Sequence, residues 1–194
     1  RIEDTDVARS SKEMSQGIVQ GLKWLEIDWD EGPFFQSERL DVYRDKAERL
    51  VQKNYAYFCY CLPQEIKKRK EDSFSKGEYW EYDRLCLNIS EEKRKRFESE
   101  GRPRAIRFLV PDGEIKYTDR VHGAISVQSK NIEDFVLLRS DGLPTYHLSV
   151  VVDDIDQRIT HIIRGDDHIS NTPKQILIYR AFDSYPPQFA HLAL

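Results

Sequence analysis

The feature that most restricts the fold of this chain is a strand-to-helix junction, Ile159-Thr160-His161-Ile162-Ile163-Arg164-Gly165-Asp166-Asp167-His168, followed by Asn171-Thr172-Pro173 and an amphipathic run. Residues 159–164 read as a buried strand. A helix is predicted to start at Asn171 or Thr172, because proline is favoured in a first turn, and to run to about Phe182 with Ile176, Leu177, Tyr179 and Ala181 against a sheet. A strand that passes through glycine into a helix N-terminus is where an α/β sheet places an anionic ligand. Arg164 is a single arginine in an otherwise acidic loop, so function is expected around it.

The 194 residues, 39% of them hydrophobic, are enough for one ordinary domain or parts of two. A net charge of -4 does not announce a nucleic-acid binder, so any such surface must be local. No stretch approaches the roughly 18 apolar residues of a membrane span, and RIEDTDVARS has no signal-peptide layout, so a soluble protein is expected. The 3 unevenly spaced cysteines do not form a disulfide framework, which points to a reducing cytosol. The chain opens on Arg1, and residues 190–194 resemble a strand entering a sheet; a piece of a larger protein is expected.

Taken in order, Ser10 and Glu13 predict a capping box for a helix over 11–25, with Ile18, Val19, Leu22, Trp24 and Leu25 facing the core. Ser37 predicts the cap of a second helix over 38–52, with Leu40, Tyr43, Ala47, Leu50 and Val51 inward. From Tyr55 an aromatic strand begins, and residues 55–144 read as an inserted domain. Basic clusters at 67–70 and 93–96 fall on helices, where a solvated face is the simpler reading and phosphate contact the alternative. Strands over 105–110, 115–117, 124–127 and 135–138 imply a small mixed or antiparallel sheet. Residues 145–155 are ambiguous: Pro144-Thr145 suit a helix start, whereas Val150-Val151-Val152 favours a strand.

Two groups of residues carry chemistry. Cys59, Cys61, Tyr82 and Cys86 form a C-x-C-x20-Y-x3-C pattern whose sulfurs suit a tetrahedral zinc, with Tyr82 a better fourth ligand than Asn88. The competing reading is three small core residues. The second group is an acid early in the chain, a tyrosine hydroxyl and an arginine. Singly, Glu3 and Asp6 read as surface or capping residues, Tyr146 as core, and Arg164 as a salt bridge with Asp153 or Asp154. Together they describe a pocket for an amino acid: an acid for the amine, and a guanidinium and a hydroxyl for a carboxylate.

Several longer motifs carry a resemblance: R-I-E-D-T-D at 1–6, W-D-E-G-P at 29–33, F-Q-S-E-R at 35–39, D-G-L-P-T-Y at 141–146, V-V-D-D at 151–154, I-T-H-I-I-R-G-D-D-H at 159–168 and N-T-P-K-Q-I at 171–176. End to end, the chain resembles the middle of bacterial glutamyl-tRNA synthetase. The family's P-S-P-T-G and H-I-G-H-type motifs would precede Arg1, and its K-L-S-K-R motif would follow Leu194.

The resemblance implies an α/β fold: a partial Rossmann-like class I synthetase catalytic domain over 1–54 and 145–194, with an inserted α/β acceptor-stem-binding domain over 55–144. It implies a cytoplasmic, monomeric ligase that joins L-glutamate to ATP-derived AMP with Mg2+ and passes it to tRNA(Glu). By motif position, Glu3 would hold the substrate ammonium, and Tyr146 and Arg164 its carboxylates. Asp6 and Arg9 would lie near the tRNA end, Asp167 and His168 near the nucleotide. Val150 stands where some members carry asparagine. The cysteine pattern matches zinc-bearing members, with Asn88 where some have a ligand histidine. Without both ATP motifs, the 194 residues alone are not expected to form the adenylate. Two alternatives are a paralogue that glutamylates queuosine in tRNA and a non-catalytic, zinc-stabilised RNA-binding module.

Overall fold

The computed structural model describes residues 1–5 and 10–194. The first helix, α1 (Lys12–Trp24), is capped by Ser11, whose hydroxyl accepts from the Met14 N–H at 3.2 Å, one residue later than the sequence suggests. Its expected core face is not in the core. Ile18, Trp24 and Leu25 are exposed and Val19 and Leu22 only half-buried, so the helical period is real while the surface it matches is not among the described residues.

Ser37 also has a different role. Its N–H and hydroxyl both bind the Asp4 carboxylate, at 2.8 and 2.6 Å. A 3-10 turn, Gln36–Arg39, then leads into α2 (Leu40–Gln52), which buries Tyr43, Ala47 and Leu50 as its spacing requires.

The strands form two sheets. In the first, β1 (Ala56–Cys59), β2 (Ala105–Phe108) and β5 (Val136–Leu138) are antiparallel in the order β1-β2-β5. The second has the order β4-β3-β7-β6. Here the hairpin β3 (Glu114–Asp119) and β4 (Gly123–Gln128) meets β7 (Gln188–Leu192) in parallel at Asp119↔Phe189, and β7 runs parallel to β6 (His161–Gly165). The hairpin thus joins the sheet that carries Arg164. The strands at 105–138 do not form one small sheet, because β3 and β4 find their partner in β7.

Among the described residues, strand β6 is the outer strand of this order, and Ile163 is 69% exposed.

The ambiguous segment is the helix α5 (Tyr146–Asp156). Its valines are disfavoured in an isolated helix by about half a kcal/mol each. Burial of Leu148, Val150, Val151 and Val152 outweighs this. Two buried acids pin it further. Asp153 accepts from Gln36 Nε2 at 2.8 Å, Arg39 Nε at 2.9 Å and Tyr43 Oη at 2.9 Å. Asp154 accepts from Arg1 at 2.5 Å and Tyr179 Oη at 2.8 Å. Helix α6 (Thr172–Ala181) packs beside it with Ile176, Leu177, Ile178 and Tyr179 buried.

One core runs through Tyr43, Leu50, Phe108, Ile115, Leu137, Leu148, Ile176 and Phe189, so residues from both predicted domains share it. A second cluster, Tyr57, Cys59, Tyr60, Tyr82, Cys86 and Phe97, lies under α3 (Pro63–Ser75) and α4 (Glu91–Ser99). Lys67, Lys68, Lys70 and residues 93–96 are exposed on those helices. No helix among the described residues is long and apolar enough to cross a membrane.

Candidate functional site

Strand β6 delivers Arg164 to the start of α6, and all of its hydrogen-bond partners are neutral side chains. Its guanidinium donates to Tyr146 Oη at 3.2 Å, His191 Nε2 at 3.1 Å, Thr172 Oγ1 at 2.7 Å and Gln175 Oε1 at 2.8 Å. Among the described residues it has no carboxylate within salt-bridge distance. The expected pairing with Asp153 or Asp154 does not occur, because Arg1 and Arg39 occupy those acids. A half-buried cation held by neutral dipoles is oriented yet uncompensated, which is how a protein prepares for an incoming anion.

Tyr146 opens α5, and its hydroxyl lies 3.3 Å from His168 Nδ1 as well as facing Arg164. Burial raises its pKa, Arg164 opposes that, and the charge of Glu3 adds to it. Glu3 is bonded to Arg1 at 3.0 Å, and Arg1 is anchored on Asp154. The structure therefore brings Tyr146, Arg164 and His168 together, while Glu3 is held by Arg1. Asp167 sits in the turn Asp166–His168, 3.7 Å from His168 Nε2. A Cβ on Gly165 would stand 2.5 Å from the Asp167 carboxylate, which is exposed and could turn away. Asp6 and Arg9 lie outside the described residues. Val150 is buried in α5 and contributes no polar group.

The cysteine pattern also converges. The sulfurs of Cys59, Cys61 and Cys86 all lie within 4.8 Å of one another, and Cys61 and Cys86 are 3.5 Å apart. Tyr82 Oη closes the group, at 3.1 Å from Cys59 Sγ and 3.5 Å from Cys61 Sγ. A tetrahedral zinc with its usual bond lengths would set these edges at about 3.8 Å between sulfurs and about 3.6 Å from oxygen to sulfur. The three edges Cys61–Cys86, Tyr82–Cys59 and Tyr82–Cys61 lie within about half an ångström of those values, while Asn88 is exposed. Hydrogen bonds from Cys61 and Cys86 hold the Cys59 thiol well below its ordinary range, and burial with the neighbouring sulfurs pushes the Tyr82 hydroxyl up.

Two arginines that sequence reasoning passed over face these sulfurs. Arg69 donates to Cys61 Sγ at 3.2 Å, and Arg107 Nε to Cys59 Sγ at 3.4 Å, with its guanidinium 3.8 Å from the centre of the Tyr82 ring. Arg69 sits inside a basic cluster and Arg107 inside a strand, so neither stood out. Thr172, Gln175 and His191 around Arg164 were missed for the same reason.

The whole chain, residues 1–194, matches the family model for class I tRNA synthetases (E and Q), catalytic domain. It is 49% identical over 195 residues to a glutamate–tRNA ligase of Koribacter versatilis, covering 100% of this chain and 41% of that protein. It is 47% identical over 195 residues to another from Thermodesulfovibrio yellowstonii, covering 100% and 40%. The crystal structure of a glutamate tRNA ligase from Elizabethkingia meningosepticum, in complex with its amino acid, superposes with a TM-score of 0.94 at 33% identity, covering 100% of this chain and 42% of that one. The chain thus spans about two-fifths of the length of these relatives.

Proposed function

Because this chain belongs to the class I tRNA synthetases (E and Q), catalytic-domain family, we propose that it is the amino-acid-selecting part of a cytoplasmic, monomeric glutamate–tRNA ligase. The whole protein would use ATP and Mg2+ to convert L-glutamate to glutamyl adenylate and pass the glutamyl group to the 3′ end of tRNA(Glu). The observation that carries the reading is Arg164, oriented by four neutral side chains and unpaired with any carboxylate among the described residues.

In this reading Arg164 and the Tyr146 hydroxyl bind substrate carboxylate, and Glu3, held by Arg1, takes the ammonium group. Asp167 and His168 face the nucleotide, and Asp6 and Arg9 the tRNA end. In the first step a carboxylate oxygen of glutamate bonds to the α-phosphorus of ATP as the bond to pyrophosphate breaks. In the second, a ribose hydroxyl of tRNA takes the acyl group and AMP leaves. The residues of this chain supply position and charge rather than a covalent intermediate. Residues 55–144 form the acceptor-stem insertion in this proposal, with the β3–β4 hairpin seated on the sheet of the catalytic part, 1–54 and 145–194. Zinc held by Cys59, Cys61, Cys86 and Tyr82 would brace that insertion structurally.

The test is Arg164→Ala in the full-length protein, assayed by ATP–pyrophosphate exchange with glutamate and with glutamine. Loss of a charge-assisted carboxylate contact should lower kcat/KM for glutamate by about 10²-fold or more and erase its preference over glutamine. Unchanged discrimination refutes the assignment.

A further inference from the structure

Arg164 does not hold its pose alone: a fully buried histidine and a fully buried aspartate from two other strands stand behind it. His191 on β7 and Asp119 on β3 are 0% and 1% exposed. The His191 Nδ1 lies 2.6 Å from Asp119 Oδ2, and its Nε2 receives the Nε–H of Arg164 at 3.1 Å. An arginine can only donate, so Nε2 must present a bare lone pair, and the ring proton must sit on Nδ1 and point at Asp119. The chain of donation is therefore Arg164 to His191 to Asp119, with its direction set by the guanidinium.

Asp119 is itself locked. Its Oδ1 accepts the N–H groups of Val121 at 2.9 Å and His122 at 3.0 Å, which close the β3–β4 turn, and that of His191 at 3.3 Å. Burial works against the charge of this carboxylate, but the hydrogen bonds from His122, His191 and Val121 together hold its pKa well below the usual range. At the other end Thr172 accepts from Arg164 at 2.7 Å and lies 3.1 Å from His191 Nε2, which leaves the guanidinium little freedom to rotate.

We propose that His191 and Asp119 are positioning residues for Arg164: Asp119 fixes the Nδ1–H tautomer of His191, and the bare Nε2 aims the guanidinium at the substrate carboxylate. Asp119 comes from the hairpin of the inserted segment, so this contact makes the amino-acid pocket depend on how that segment sits on the sheet. The inference rests on the reading of Arg164 as a carboxylate-binding group.

Two substitutions of His191 in the full-length protein separate positioning from packing. Asparagine places its amide near Nδ1, keeping the Asp119 bond and deleting the Arg164 acceptor. Glutamine places its carbonyl near Nε2 and does the reverse. His191→Asn is expected to raise KM for glutamate by about tenfold, the equivalent of one lost hydrogen bond, with kcat and KM for ATP within about twofold of wild type. His191→Gln is expected to restore KM for glutamate to within about threefold. Equal effects of the two, or a larger KM effect from glutamine, overturn the proposal. The tautomer is readable without any variant. Nitrogen-15 chemical shifts of wild-type His191 should report a protonated Nδ1 and a bare Nε2, and a proton on Nε2 overturns the scheme even if His191→Asn fails to fold. If Arg164→Ala leaves KM for glutamate unchanged, the carboxylate reading itself has failed. If Arg164→Ala raises it while His191→Asn does not, only the positioning role has.

Discussion

Replacing Arg107 with methionine tests the proposed zinc site at the cysteine cluster, and whether that site would be anionic. Arg107 is 8% exposed and has no carboxylate within 4.0 Å among the described residues; its partners are Cys59 Sγ at 3.4 Å, the Asp134 carbonyl at 2.8 Å and the face of Tyr82. A buried guanidinium without a counter-ion is costly, so the sulfurs must supply the negative charge. A zinc ion with three thiolates has a net negative charge, and a phenolate would deepen it. At the observed separation and an effective dielectric of about 20, the pair is worth about 5 kcal/mol before desolvation. The net loss should be smaller, about 1–3 kcal/mol, or roughly 10- to 100-fold in zinc affinity, the range found when outer-shell partners are removed. Methionine fills similar volume, so packing changes little. The assay is competition for zinc against a chromophoric chelator, with cobalt substitution reporting the thiolate bands. Arg107→Lys should recover part of the affinity, since it keeps the charge and loses the planar stack on Tyr82. Zinc affinity of Arg107→Met within about threefold of wild type would refute the argument.

Three further outcomes follow from other parts of the molecule. Asp153→Ala should cost about 3–5 kcal/mol, because Gln36, Arg39 and Tyr43 lose their common buried acceptor, and thermal unfolding should shift down by about 10 °C. His147, half-buried and near the positive charges of Lys174, Arg164 and His168, has its pKa lowered to about 4 by desolvation first and those charges second. It is neutral in the folded state and binds a proton more readily when unfolded. Its contribution is therefore complete above about pH 6.5 and is lost as pH falls toward 4, amounting to about 2 kcal/mol by pH 5. Urea midpoints at pH 7 and pH 5 should move apart by that much less in His147→Gln than in wild type, and an identical pH response in both would contradict it. The isolated 194-residue chain, whose sequence contains neither ATP motif of the family, should support no ATP–pyrophosphate exchange above background; exchange at the rate of an intact relative would remove that expectation.

What could be read from the linear chain shares one physical basis: it depends on residues a few positions apart or on a donor set with fixed chemistry. The period of α2 marks Tyr43, Ala47 and Leu50 as buried, and they are. Three thiols with a tyrosine at C-x-C-x20-Y-x3-C spacing suit a tetrahedral ion as well as a core, and the strand and the returning loop bring those side chains together. Proline at the start of α6 is a local preference of the first helical turn.

Other features depend on which surfaces meet, and no short-range pattern encodes that. The valines of α5 read as a strand until burial and the anchoring of Asp153 and Asp154 outweigh their propensity. The apolar stripe of α1 has the period of a core helix and remains exposed. The hairpin at 114–128 looks like part of a separate small sheet, yet backbone pairing with β7 brings Asp119 under His191 and Arg164. Asp119 and His191 lie 72 positions apart on strands whose sequences give neither residue any distinction. Their significance arises from desolvation: two buried polar side chains satisfy each other, and His191 Nε2 faces Arg164.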